Sequence, residues 1–259
     1  MKYLLFILIL IIFVMPVNSA VMEGGVSKTG VGEFNRIVDS ETNLPVSGAK
    51  VSLPKQNYST YTDSNGAFEL NAKIKDNSIL SVEKEGFRPF SLTINEHMAS
   101  KPIVVGIQKT NAHDIVLSSE MFHLGDDNYS TASANSAEFK GISIGPYFSK
   151  TFLMTADVIR KKNYLVIGSI IGIDTLMARS MKQNFIVNSY SSPPEVYFNG
   201  NKIAEIQLNG DGQRVRLPNN LIKNGQHNEI TIKTGRNMKQ TAYVDYDDIE
   251  LMNISILSE

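Results

Sequence analysis

Apolar and polar residues alternate with period two along most of the chain after residue 33, interrupted at short intervals by turn-forming residues. Side chains of a strand point alternately to opposite faces, so this pattern buries one face of a sheet and wets the other, whereas a helix needs a period of 3.6. Glu33–Asp39, Lys50–Leu53, Ala67–Leu70, Ser78–Lys84 and Pro89–Ile94 read as strands, with turns at Ser40–Pro45, Asp63–Gly66 and Glu85–Gly86. No helix is needed before Gln108. Beyond the polar link Lys109–His113, strands are expected at Ile115–Ser118, Phe139–Ile144, Ser149–Thr155, Tyr164–Ile173, Asn184–Ser189, Glu195–Phe198, Ile203–Leu208, Arg214–Leu217, Asn228–Thr234 and Asp248–Leu257. The fold class is therefore all-β, with two β-sandwich domains at 33–108 and 114–259 joined by a linker at 109–113. Tyr164–Ile173 is the most apolar stretch of these bodies. It is far shorter than the ~20 residues that cross a bilayer, and its β-branched residues suit a buried central strand.

The N-terminus has the form of a targeting segment. Lys2 precedes an apolar run from Leu4 to Met15, Pro16 breaks it, and small residues follow, which reads as a signal peptide over 1–20 with a flexible leader at 21–32. The expected location is secreted, periplasmic or at the cell surface, with no stable membrane span once the signal is cleaved. An exported chain without cysteine has no disulfides, so its stability must come from its core, and thiol chemistry is excluded. With a formal net charge of −1 there is no electrostatic basis for capturing nucleic acid or an anionic membrane.

Three segments, Arg36–Leu53, Tyr61–Leu70 and Val82–Phe90, place a strand, a Pro-x-x-Gly-Ala turn, a Thr-Asp-x-x-Gly turn and a Gly-Phe segment in one order. That order resembles the carboxypeptidase regulatory-like domain, although Asn35 stands where the family usually has glycine. The resemblance implies a small, non-catalytic, transthyretin-like sandwich. Farther on, Glu195–Leu208 is a hairpin turning at Asn199–Gly200, Val215–Ile232 adds a strand, a Leu221–Ile222 plug and another strand, and Asp247–Asp248 opens the last strand. This arrangement is similar to the jelly-roll, galactose-binding-like sandwich of carbohydrate-binding modules. It implies a structural calcium, with Asp247 and Asp248 completed by Asp126 and Asp127 from the early part of the sandwich.

Adjacent carboxylates repel, so they gather around a hard cation or sit in water, and both readings stand for Asp126–Asp127 and Asp247–Asp248; Asp126 and Asp127 can also cap backbone N–H groups. Sugar binding needs an aromatic platform beside planar polar groups. Without tryptophan, the candidates are Tyr129, Tyr147, Tyr190 and Tyr197, with Asn135, Arg160, Arg179, Asn188 and Arg236 as hydroxyl partners. Each tyrosine can equally be a half-buried strand residue. His97, His113, His123 and His227 show no zinc-protease spacing and no nucleophile elbow is present, which leaves only a carboxylate pair, Glu120 or Glu138 with Asp247, for a glycan hydrolase. The sequence favours an exported, non-catalytic module that engages a glycan or cell-envelope polysaccharide. The rivals are a structural or protein-interaction component of a surface assembly and, more weakly, that hydrolase.

Overall fold

The computed structural model describes residues 34–135, 137, 139–184 and 188–259. The expected signal peptide and leader, Glu33 and Glu138 lie outside them, as does the middle of the strand expected at Asn184–Ser189. The described chain forms fifteen strands in four sheets. The first sandwich comprises β1 (Asn35–Asp39), β2 (Lys50–Leu53), β3 (Tyr58–Tyr61), β4 (Ala67–Phe68), β5 (Ser78–Glu83), β6 (Phe90–Ile94) and β7 (Val104–Ile107), in sheets ordered β4-β1-β7 and β3-β2-β5-β6. One short helix, α1 (Glu96–Ala99), joins its last two strands and is capped by the Asn95 side chain. Ile37, Val51, Leu53, Leu80, Val82, Ile94 and Val105 fill the space between the two sheets.

The second sandwich comprises β8 (Ile115–Leu124), β9 (Tyr147–Leu153), β10 (Asn163–Ile171), β11 (Glu195–Phe198), β12 (Asn201–Glu205), β13 (Gly210–Arg216), β14 (His227–Lys233) and β15 (Ile249–Ser258), with α2 (Leu176–Ser180) after β10. Its sheets are ordered β13-β10-β15-β8 and β12-β11-β14-β9. Leu165, Ile167, Phe198, Ile230, Ile232, Leu251 and Ile254 lie in the core between them. The apolar run Tyr164–Ile173 becomes β10, a central strand, and Asn199–Gly200 makes the two-residue turn between β11 and β12 with positive φ at both residues.

Phe139–Ile144, expected as a strand, is irregular. Its alternation is used differently: the Phe139 ring packs 5.0 Å from the His123 ring, the Gly141 carbonyl accepts from that imidazole, and Ile142 is 85% exposed. In its place β8 runs on to Leu124, because Phe122 and His123 pair with Leu251 and Glu250 of β15.

The first sandwich lies on the outer face of the β13-β10-β15-β8 sheet, which explains why all ten residues of β15 are buried. The Thr93 backbone amide and hydroxyl of β6 donate to Asp211 Oδ1 of β13 (2.9 and 2.7 Å), and the Ser169 hydroxyl of β10 donates to the same oxygen at 2.6 Å. Ile79, Phe139, Ile171 and Met252 add an apolar cluster to this seam. Close approach depends on Gly168: a Cβ there would lie 2.5 Å from Ser91 Oγ and 2.7 Å from Asn253 Cβ.

Candidate functional site

β8 and β10 both run antiparallel to β15, so their C-terminal ends and the start of β15 meet at one end of the second sandwich. His123 is the penultimate residue of β8, Asp174 follows β10, and Asp245, Asp247 and Asp248 precede β15. Asp247 and Asp248 are neighbours in sequence, yet their carboxylates turn to different partners: Asp248 meets His123 and Asp127, and Asp247 meets Asp174 and Ser191.

On the first side, His123 Nδ1 donates to the Gly141 carbonyl at 2.6 Å and Nε2 lies 2.9 Å from Asp248 Oδ1. Asp248 Oδ1 also accepts the Asp127 amide at 3.0 Å, and the Tyr129 hydroxyl is 3.4 Å from both His123 Nε2 and Asp127 Oδ1. Donor atoms of His123, Asp127 and Asp248 all lie within 4.8 Å of one another. Gly125 makes room for Asp248, since a Cβ there would fall 2.1 Å from Asp248 Oδ1. Burial alone would lower the pKa of the His123 imidazole, but the Asp248 carboxylate and the Gly141 carbonyl together raise it. Across the strand pair from His123, Glu250 is fully buried with neither carboxyl oxygen hydrogen-bonded, and burial pushes its pKa up against the opposing Lys55 and His123.

On the second side, Asp247 Oδ2 accepts the Ser191 hydroxyl (2.7 Å) and the Asp174 amide (3.1 Å), while its Oδ1 has no partner. Burial raises its pKa well above the usual carboxylate range, and those two hydrogen bonds offset this only in part. Both oxygens of Asp174 and two guanidinium nitrogens of Arg179 are buried and unpartnered. Burial drives Asp174 up to about 7, and the Arg179 charge opposes it. The Arg179 guanidinium lies 5.8 Å from the centre of the Tyr190 ring, and Lys239 Nζ lies 5.6 Å from it.

The acidic pairs thus occupy one end of the sandwich without forming a single shell. Asp126 accepts the backbone amides of Asn128 (3.1 Å) and Tyr246 (2.9 Å), and Asp127 accepts that of Ser143. Of the aromatic candidates, Tyr129 joins the His123 group and Tyr190 joins Arg179. Tyr147 is exposed on β9, and Tyr197 is half-buried on β11 with its hydroxyl donating to Glu195 at 2.6 Å. Asn135 is buried next to the Ser133–Ala134 turn that binds Asp245. Asn188 and Arg236 are exposed near Tyr190, whereas Arg160 follows β9 at the opposite end of the sandwich. Glu120 is exposed in β8, while Asp247 is fully buried.

A cleft of about 970 Å³ opens between the two sandwiches. Five side-chain amides line it, from Asn77, Asn95, Gln183, Asn184 and Asn209, together with Phe139. It also carries Lys55, Lys75, Lys140 and Lys182 against the single carboxylate of Asp76. The wall formed by residues 55–95 belongs to a segment with known relatives. Residues 36–117 match the CarboxypepD_reg-like domain. That domain is of a regulatory, non-catalytic type, and no catalytic family matches the chain. A search with the whole chain among curated proteins found no match. The CarboxypepD_reg-like domain supplies Lys55, Lys75, Asp76, Asn77, Thr93 and Asn95 to the cleft, so the site is shared between it and the second sandwich.

Sequence reasoning did not select His123, Asp174, Glu250 or the cleft. His123 lies beyond the strand expected at Ile115–Ser118 and reads as a turn histidine, whereas β8 carries it into the sheet. The signal that could have found Asp174 and Glu250 is a carboxylate inside or directly after an apolar strand, at Ile171–Asp174 and Ile249–Leu251.

Proposed function

We propose that the chain is an exported, non-catalytic binding module that holds a glycan of the cell envelope, or of its surroundings, in the cleft between the two sandwiches. The observation that carries this reading is the cleft lining: the lysine ammonium groups and the side-chain amides of Asn77 and Asn95 are the charged and planar donors that sugar carboxylates and hydroxyls require, whereas Gln183, Asn184 and Asn209 shape the wall with their amides bonded to backbone carbonyls. Four lysines against one aspartate favour acidic sugars over neutral ones. Two further features support it. The hairpin, plug and final-strand order of Glu195–Ile249 is similar to galactose-binding-like modules, and the N-terminal Lys2 and Leu4–Met15 have the form of an export signal.

The test is binding of the purified chain to uronic-acid polysaccharides and to neutral ones. Lys75, Asn77 and Lys182 line the cleft without a side-chain hydrogen bond among the described residues, so replacing all three with alanine should leave the fold intact. The expected result is at least tenfold weaker binding of the acidic glycan by the triple variant. Equal binding by both proteins, or a preference for neutral glycans, overturns the assignment.

A second reading, contact with a protein partner, is favoured by Leu176, Met177 and Met181 at α2, which are 55%, 48% and 63% exposed. A fixed partner that co-purifies with the chain and is lost on Met177→Ser with Met181→Ser, with no glycan bound, would support it in place of the first.

A further inference from the structure

We propose that His123, Asp127 and Asp248 form a binding site for an imidazole-accepting divalent cation of the zinc class. Calcium takes six to eight oxygens, and the four carboxylates that a calcium shell would draw on are not gathered here, because Asp247 is turned towards Ser191 and Asp174. What is gathered is a mixed nitrogen and carboxylate set, the donor chemistry of a first-row transition ion.

The imidazole is oriented for this role. Its Nδ1 proton is committed to the Gly141 carbonyl at 2.6 Å, so in the neutral ring Nε2 carries the free lone pair, and Nε2 is the atom that faces Asp248. A backbone carbonyl behind a histidine ligand is the usual outer partner that fixes tautomer and ring angle. With no cation bound, Nε2 must hold a proton to bond Asp248; the cation takes the place of that proton. Ligands about 2.0–2.2 Å from a tetrahedral ion lie about 3.3–3.6 Å apart, so a set spanning 4.8 Å needs to contract by roughly an ångström, and Asp127, whose Oδ1 lies 3.6 Å from Nδ1, must turn towards the Nε2 edge.

Independent support comes from Asp248. Its side chain is fully buried, Oδ1 is shared by His123 and the Asp127 amide, and Oδ2 has no hydrogen-bond partner. A buried carboxylate oxygen in that state is costly unless a cation meets it. The surrounding charge points the same way, since Asp126, Asp245 and Glu250 are all close, and Lys55 is the additional cation acting on Glu250. Asp127 supplies the route in, with its side chain 38% exposed, and the Tyr129 hydroxyl at 3.4 Å from Nε2 stands at the rim of the site. Ion binding does not depend on any ligand in the cleft, so this inference and the glycan assignment can fail separately.

The experiment uses the purified chain after chelator treatment and dialysis, titrated in parallel with zinc and calcium by calorimetry, and with cobalt(II) by absorption. The expected result is one zinc per chain, bound at least tenfold more tightly than calcium, and a visible cobalt d–d band. His123→Gln should abolish the cobalt band and weaken zinc at least tenfold. Asp127→Asn changes an exposed carboxylate and keeps the fold, so it reports on the site without the risk of unfolding, and it too should weaken zinc at least tenfold. Absence of zinc binding to the folded wild type, zinc binding unchanged in Asp127→Asn, or calcium bound in preference to zinc would each overturn the proposal.

Discussion

Replacing Asp174 with asparagine should stabilise the protein at alkaline pH. The carboxyl is fully buried, neither oxygen has a partner, and burial places its pKa at about 7 against a reference of 3.8. A raised carboxyl pKa means that the folded state holds the proton more tightly than the unfolded chain. Its contribution to stability is complete below about pH 4 and is lost as pH rises to about 7. At 1.36 kcal/mol per pH unit, the interval from 3.8 to about 7 corresponds to roughly 4 kcal/mol of destabilisation in the wild type at pH 8. Asparagine keeps the shape and carries no charge, so Asp174→Asn should gain up to ~4 kcal/mol at pH 8, a figure that already includes the opposing Arg179 charge and is reduced by whatever screening entering water provides. By pH 4.5 the gap should shrink to about 1 kcal/mol, because the carboxyl is then protonated in the folded state and largely ionised only in the unfolded one. Urea unfolding followed by far-ultraviolet circular dichroism at pH 4.5, 6 and 8 gives these differences directly. An asparagine variant no more stable than wild type at pH 8 would refute the reasoning, since it would show that the buried carboxylate is compensated as an ion.

Two substitutions test the seam between the sandwiches. Asp211→Ala removes the acceptor of the Thr93 amide, the Thr93 hydroxyl and the Ser169 hydroxyl, and should cost about 2–4 kcal/mol while separating the thermal unfolding of the two bodies, a change that calorimetry resolves and protease cleavage within 109–113 confirms. Gly168→Ala drives a methyl to 2.5 Å from Ser91 Oγ and 2.7 Å from Asn253 Cβ. It should destabilise by about 1–3 kcal/mol in chemical denaturation, and a neutral result would mean that the sheets are not in close contact at β6.

Local rules account for much of the fold. The continuous apolar run of Tyr164–Ile173 identifies a central strand because a strand covered on both faces needs apolar residues in both registers, and Asn199–Gly200 specifies a hairpin because both residues tolerate positive φ. The same rules misread Phe139–Ile144, where a tertiary contact to His123 outweighs alternation. The site was less legible. Asp126, Asp127, Asp247 and Asp248 stand out as pairs in sequence, but pairing along the chain does not determine which partner each carboxylate faces. Asp248 found His123 across two antiparallel strands, and Asp247 found Ser191, a contact between residues 56 apart in the chain. Arg179 and Tyr190 were visible as separate residues, and only the return of the chain after α2 stacks one on the other.

The acidic end of the second sandwich is expensive in a way that the fold does not require. Asp174, Asp247, Asp248 and Glu250 are fully buried, each with at least one carboxyl oxygen lacking a hydrogen-bond partner among the described residues. Apolar residues of similar size in place of buried ionic groups are commonly neutral or stabilising, so stability does not account for the acids. The two halves of the cluster resolve their charge by different means. Around His123 the imidazole orientation and the Asp127 opening admit a cation, whereas around Asp174 burial raises the pKa and so favours the protonated, uncharged carboxyl below about pH 7. It follows that zinc should raise the thermal midpoint of wild type and of Asp174→Asn alike, while the alkaline loss of stability should be smaller in Asp174→Asn, the remainder belonging to Asp247 and Glu250. A zinc effect that vanished in Asp174→Asn would join the two halves into one site and would place the ion between Asp247 and Asp174 instead.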